Sequence, residues 1–461
     1  MRRIFPLLFP ILWITGCATQ PVPIASPVAL PEQWRHPSAA DSGINADWWR
    51  TFGNDELDHL IRQATAESLD IATAVARVHQ AYATVRIAQA ALLPELVLGL
   101  NITRRDHLEN SNNGNFSNYG ALLSASYEVD FWRRNRASRD SAVAVLHATE
   151  FDRDTVRLTV TTGVASTWLR AVALHERIAI AELNLQNAER LLTMVESRER
   201  AGTAMPLALV QQRGLVANQR RFLSILRQQA GDTHTALEVL LAQPGRVEIG
   251  KTSLASLHTP AMGTGLPSEL LTRRPDIARA EARLAAANAS VVVARTAMFP
   301  RLILLGGIGA DSDHLHRIFD HPMYSLAAGL TAPIFNAGRL AAGHDLALAQ
   351  REELLAGYRQ AIIAAFADVE IALNAVTELE AQVRLQTEEL TQAQHALILA
   401  ESRYRAGAET LLDLLDAQRT LYAAKDIAVQ LKLSRLLASV ALYKALGGGW
   451  QADQSLTVSV F

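Results

Sequence analysis

Cysteine is nearly missing from this 461-residue chain: the one copy, Cys17, rules out an intrachain disulfide. Excess charge is missing too. Lys and Arg total 44 against 46 Asp and Glu, a net −2, so no basic surface for nucleic acid is on offer. Beyond the N-terminal stretch no run of 18 apolar residues occurs, so the pattern holds no helical membrane span. Proline avoids two long intervals, with none between Pro94 and Pro206 and none after Pro333. An interior proline costs a helix about 3 kcal/mol, so these gaps are where long helices fit. Catalytic signatures are absent as well. His175-Glu176 lacks the second His of a zinc-protease motif, and no phosphate-binding Gly-rich loop with Lys occurs. No nucleophile–base or metal constellation stands out, so the chain reads as a protein that performs no chemistry.

What is present begins with apolar content: 49% of residues are hydrophobic, with mean hydropathy +0.08. Met1-Arg2-Arg3 precedes the apolar run Ile4–Ile14, which Pro6 and Pro10 interrupt. That is the layout of a secretion signal, residues 1–16. It ends Ile14-Thr15-Gly16-Cys17, and this resembles the lipobox of bacterial lipoproteins. The resemblance implies that Cys17 is acylated and becomes the mature N-terminus; this covalent lipid is the one attached group expected. Each buried acyl CH₂ adds about 0.8 kcal/mol of anchoring. Ala18 stands where enterobacterial lipoproteins kept at the inner membrane carry Asp, so by resemblance export to the outer membrane is allowed.

The chain says one thing twice. ESRERAG at Glu196–Gly202 returns as ESRYRAG at Glu401–Gly407, 205 positions on. Leu69–Ala72 matches Pro275–Ala278, and Leu92–Pro94 matches Met298–Pro300. An internal tandem duplication accounts for this. Within each half, residues 137–200 and 339–404 are rich in good helix formers and would each span about 95 Å. Val369, Val376, Val383, Leu390 and Leu397 fall seven apart, with Ala372, Leu379, Gln386, Ala393 and Ala400 as companion seam. That is coiled-coil spacing. The return segments 207–243 and 411–446 pack back antiparallel, which makes each RAG the tip of a helical hairpin turned by Gly202 or Gly407.

After Pro94 and Pro300 the apolar period changes to two. Leu96, Leu98, Leu100 and Ile102, then Tyr119, Ala121, Leu123, Ala125, Tyr127 and Val129, alternate with smaller or more polar residues. Leu302, Leu304, Gly306 and Ile308, then Tyr324, Leu326, Ala328, Leu330 and Ala332, repeat the pattern, and Arg104–Asn118 is the polar stretch between the first two runs. Strands of about ten residues with one apolar face are the signature of transmembrane barrels. Two half-buried hairpins of an α+β domain would give the same alternation. If the strands lie in a membrane, four cannot close a hollow barrel and no edge can stay unpaired, so several chains must share one barrel.

The run Leu266–Glu281, containing PSELL and RRPDI, is similar to a hallmark of the outer membrane factor family. These are the TolC-type exit ducts, here the lipoprotein branch serving resistance-nodulation-division efflux pumps. Trp48–Phe52, Asp55–Leu57 and Leu442–Trp450 also resemble that branch, and the similarity runs from Cys17 to Trp450. It implies a mainly α chain with a membrane β-barrel portion: a long coiled-coil helical barrel, plus four strands per chain completing a twelve-stranded barrel in a homotrimer. The expected layout places the lipid-anchored segment at 17–60 and the first repeat at 61–243, with its β-hairpin at 94–130 and its tip near 202. An equatorial connection at 244–275 leads to the second repeat at 276–446, with hairpin 300–334 and tip near 407, and a tail at 447–461. Localisation would be the outer membrane, reaching into the periplasm, with outer-membrane lipid around the barrel. The expected partners are a periplasmic adaptor and an inner-membrane resistance-nodulation-division transporter. One departure stands out: Trp132-Arg133-Arg134 occupies the place of the family's Gly-Arg, which the second half keeps as Gly338-Arg339.

By the same resemblance, Arg200, Ala201, Gly202 and Thr203, with Arg405, Ala406, Gly407 and Ala408, form an adaptor-docking rim. Asp413 and Asp416, three apart and so on one helix face, match acidic positions lining a periplasmic pore constriction. Thr410 with Asp413 also reads as a capping box. The corresponding Ala208 and Gln211 of the first half carry no charge. The cluster Asp311–His321 holds three His and three Asp but falls in an outer loop, so no metal site is expected there. The duct would pass drugs or other small compounds. An exit duct for type I protein secretion and a non-channel periplasmic coiled-coil scaffold are the competing readings; the second leaves the four strands without a use.

Overall fold

The computed structural model describes residues 28, 31–35, 45–105, 116–202, 205–245, 247–250, 252–259 and 263–451. The signal segment, Cys17 and Thr203 lie outside the described residues. The elements run α1 (Asp55–Glu67), α2 (Leu69–Ala90), β1 (Glu95–Arg105), β2 (Phe116–Val129), α3 (Arg134–Arg200) and α4 (Pro206–Leu240). After a connection come α5 (Leu270–Arg273), α6 (Pro275–Thr296), β3 (Arg301–Ser312), β4 (Pro322–Thr331), α7 (Arg339–Arg405) and α8 (Leu411–Ala445). Equal lengths recur: α2 and α6 have 22 residues each, α3 and α7 have 67, and α4 and α8 have 35. A 67-residue helix is about 100 Å long.

Local chemistry sets the ends. Pro206 and Pro275 stand in the first turns of α4 and α6, where a missing N–H does no harm. Asn54 caps α1 by accepting the Leu57 N–H at 3.0 Å. Along α7 the seven-residue seam turns inward, with Val369, Ala372, Gln386 and Ala393 buried. One polar seam residue is tied down: the Gln386 side-chain amide donates to the Ala424 carbonyl of α8 at 3.2 Å.

The strands form one antiparallel sheet in the order β1-β2-β3-β4. Two separate hairpins are thus not what forms; β2 pairs with β3 across the two halves, Leu123 opposite Ile308. The polar stretch Arg104–Asn118 is also shorter than its pattern implies, because Arg104 and Arg105 still pair with Ser117 and Phe116. Among the described residues β1 and β4 each keep one unpaired edge.

Between sheet and helices the chain bends twice. Gly338 turns there at φ 80°, as the pattern suggests. Arg133 adopts the same left-handed conformation, φ 65°, so the Gly-to-Arg departure leaves the bend in place. A left-handed L-residue costs roughly 1–2 kcal/mol. Asp130 offsets this by capping α3, accepting the Asn135 and Arg136 N–H groups at 2.9 Å each.

The largest core lies around the middle of the long helices. Trp48, Trp49 and Phe52, with Leu57, Leu60 and Ile61 of α1, pack on Trp168 and Leu169 of α3 and on Tyr443 of α8. Val247, Leu254, Leu257 and Leu270 of the inter-half connection join them. This collar is built from short segments that could not bury themselves alone.

Candidate channel face, helical tips and acidic turn

Residues directly opposite in an antiparallel pair share a face. The register therefore gathers Leu98, Leu100 and Ile102, Leu123, Leu304 and Ile308, and Tyr324, Leu326 and Leu330 on one face of the sheet. Six of these, Leu98, Leu100, Ile102, Tyr324, Leu326 and Leu330, are 65% to 82% exposed. A soluble sheet would cover such a face; a lipid-facing one would not. The opposite face is mostly small or polar, with Gly99, Asn101, Ser124, Gly307, Gly309 and Ser325. Aromatic rings collect at the sheet's helical end, where Trp132 packs against Phe131 and Phe299 and its indole N–H donates to the Pro300 carbonyl at 2.8 Å. No helix among the described residues is long and apolar enough to cross a membrane.

At the far end of the helices stand the two turns. Gly202 and Gly407 have φ of 74° and 75°, and a Cβ on either would meet nothing within 4 Å. Glycine is there for the left-handed turn, not for space. The second turn closes with the Ala408 N–H on the Arg403 carbonyl, 2.9 Å, and the Gly407 N–H on Tyr404, 3.1 Å. At the first, the Gly202 N–H bonds the Glu199 carbonyl at 2.9 Å. Arg200, Ala201, Arg405, Ala406 and Ala408 are all exposed beside these glycines. Arg405 is steadied by Glu401 at 3.2 Å. The two tips stand side by side: the Arg198 guanidinium lies 4.6 Å over the Tyr404 ring. Leu191, Tyr404 and Leu414 bury each other just behind it. Period and spacing did not reveal this cross-half contact; an Arg and a Tyr one position apart in the aligned segments were its only trace.

Asp413 and Asp416 are exposed on the first turns of α8. Asp413 is half of a capping box with Thr410, whose hydroxyl accepts the Asp413 N–H at 3.3 Å and donates to its carboxylate. That hydroxyl bond holds the Asp413 carboxyl below its usual range. The first tip is apolar instead, with Met205, Leu207 and Val210 exposed.

The RRPDI run proves to be a knot in the collar. The buried Arg274 guanidinium meets Asp276 at 2.7 and 3.0 Å and Asp368 of α7 at 3.0 Å. It also donates to the carbonyls of Ala365 and Ala445, at 3.3 and 3.0 Å, so α6, α7 and the end of α8 share one cation. Burial alone would lower the Arg274 pKa, but the two carboxylates raise it. Asp276 is pushed up by burial and held below its usual range by Arg274. At the outer loop, Asp311 belongs to β3, and His314 meets Asp313 at 2.8 Å. Among the described residues no three His, Cys, Asp or Glu side chains gather as metal ligands.

A sheet with an exposed apolar face on a scaffold of such helices has counterparts. The family model described as outer membrane efflux protein matches residues 60–243 and again 266–448. The chain belongs to the outer membrane efflux protein family. Over 455 residues, 96% of each chain, it is 49% identical to the pyoverdine export outer membrane protein OpmQ of Pseudomonas aeruginosa. The cation efflux system protein CusC of Escherichia coli O6:H1 is 31% identical over 95% of this chain and 97% of its own. The crystal structure of the open state of the Neisseria gonorrhoeae MtrE outer membrane channel aligns with TM-score 0.84 at 29% identity, over 93% and 97% of the two chains. This efflux protein is an outer-membrane exit channel that works with an efflux pump.

Proposed function

We propose that three copies of this chain form one duct, a twelve-stranded barrel above a helical tunnel, receiving small compounds from a periplasmic adaptor and an inner-membrane resistance-nodulation-division transporter. The observation that carries this is a lipid-compatible sheet with both edge strands unpaired. In hydrocarbon those backbone groups need partners, and further copies of the same edges supply them. Equal helix lengths and the paired family match support reading the chain as a tandem duplication. Three duplicated chains bring six similar tips. The exposed Arg200, Ala201 and Gly202, with Arg405, Ala406, Gly407 and Ala408, form the adaptor-docking rim, and Thr203 is assigned to it from sequence. Cys17 carries the anchoring lipid, and the duct needs no other cofactor.

Asp413 and Asp416 line the constriction, six carboxylates around the axis. Within one chain the Thr410 hydroxyl holds the Asp413 carboxyl below its usual range, and six carboxylates around one axis attract cations. Similarity to OpmQ makes pyoverdine the first cargo to assay, alongside drugs. Single-channel current in a planar bilayer tests the constriction. The parent is expected to be cation-selective, and Asp413→Ala/Asp416→Ala to conduct more and select less. Unchanged current would return both aspartates to capping and solvation.

A further inference from the structure

Between the sheet and the collar, two arginines belong to none of the ties described so far. Arg77 of α2 and Arg283 of α6 are exposed, and among the described residues neither makes an ion pair or a hydrogen bond. They are counterparts: α2 and α6 align at a shift of 206, with Asp70 on Asp276, Ala74 on Ala280 and Arg77 on Arg283.

The contacts of α6 fix which way this pair faces. On one side Ser290 and Arg279 reach α3, bonding Ser141 at 3.1 Å and Asp152 at 2.5 Å. On another, Ile277 and Leu284 pack with Tyr358 and Ile362 of α7. At 3.6 residues per turn these two directions lie about 140° apart through Arg283, and about 220° apart through the opposite face. A row of helices curves toward the side of the smaller angle. Arg283 therefore stands on the concave face, and Arg77 stands there by its matching position.

The acidic groups of that face are mostly spoken for. Asp152 is held by Arg279, and Asp276 and Asp368 by Arg274. Asp70 is exposed as well, but it lies seven residues from Arg77, about 10 Å nearer the collar. Between α6 and α7 the same face opens into a cleft of about 360 Å³, which Arg283 lines together with Arg279 and Tyr358.

We propose that Arg77 and Arg283 form a cationic ring inside the duct, above the collar, that holds small cargo bearing several carboxylate, sulfonate or phosphate groups. This rests on the multichain reading above: three copies alternate the two positions around the axis, giving six guanidinium groups. A guanidinium stays charged at any physiological pH and offers paired N–H donors to such anions. Low-dielectric walls around a bore focus the field of like charges, so the ring concentrates polyanions that a lone arginine would not hold. Cargo entering at the tips passes carboxylates first and guanidinium groups second.

The test is binding of pyranine, a pyrene dye bearing three sulfonates, to the full-length protein in neutral detergent. Fluorescence anisotropy reads the binding and light scattering the assembly. The trimer is expected to bind the dye, and Arg77→Ala/Arg283→Ala to weaken binding at least tenfold. Arg77→Lys/Arg283→Lys, which keeps the charge, should stay within threefold of the parent. Arg86→Ala, on the convex face of α2, should change nothing. A trimer that leaves the dye unbound, or binds it equally well as the alanine variant, would overturn the ring and spare the duct. A single chain would overturn both.

Discussion

The two halves of this channel share a backbone and differ in what holds it. Where the second half ties its collar with Arg274, Asp276, Asp368 and the Ala445 carbonyl, the first has Ser68, Asp70, Gly163 and Leu240 at the equivalent positions. There Gly163 simply lets Leu240 lie within van der Waals distance. The return helix α8 opens with exposed Asp413 and Asp416, whereas α4 opens with exposed Leu207 and Val210. One bend is made by Gly338, the other by a left-handed Arg133. Geometry thus follows from the matching period and turn positions, while charge differs between the two halves. An ionic knot and an apolar contact support the same helix ends.

The sharpest way to break that comparison is Arg274→Ala. It takes the guanidinium away from Asp276, Asp368 and two helix carbonyls, and should cost about 3 kcal/mol, the low end for a broken buried pair because Asp368 is half exposed. Ser68→Ala should cost less than about 1 kcal/mol; equal losses in thermal unfolding would remove the distinction. Acid sharpens the same point. With its pKa depressed in the fold, Asp276 adds stability that is whole above its unfolded pKa of about 3.9 and is lost as pH falls through the folded value. Arg274→Ala should flatten that part of the pH profile.

A smaller effect is expected at the ends of α4 and α8. Gly447 has φ 90°, and a Cβ there would stand 1.9 Å from the Arg273 carbonyl, so Gly447→Ala should cost about 2–3 kcal/mol. Its counterpart Ala242 already bears a Cβ at φ 53°, so Ala242→Gly should be neutral or stabilise by up to about 1 kcal/mol. The smallest contrast is at the bends. Arg133→Gly should raise stability by under about 1 kcal/mol and Gly338→Ala lower it by about 1 kcal/mol, both read as shifts in Tm.

Much of this was legible in advance. Proline gaps marked the long helices, the change of period marked the strands, and the RAG turns marked the tips, because each depends on neighbours a few residues away. Thr410 with Asp413 was equally readable as a cap. Arg274 could be singled out by resemblance but its role could not, since its partners lie 91 and 171 positions further on. Trp450, whose indole reaches Asp154 at 3.0 Å, was hidden for the same reason.

Sequence alone determined the elements, their recurring order and the apolar face of each strand, because backbone sterics and side-chain period act locally. Only the tertiary structure decided that β2 pairs with β3, that Arg198 covers Tyr404, and that one guanidinium joins three helices. Those contacts join residues distant in the chain. Their energy depends on distance and burial, and neither is set by order along the chain.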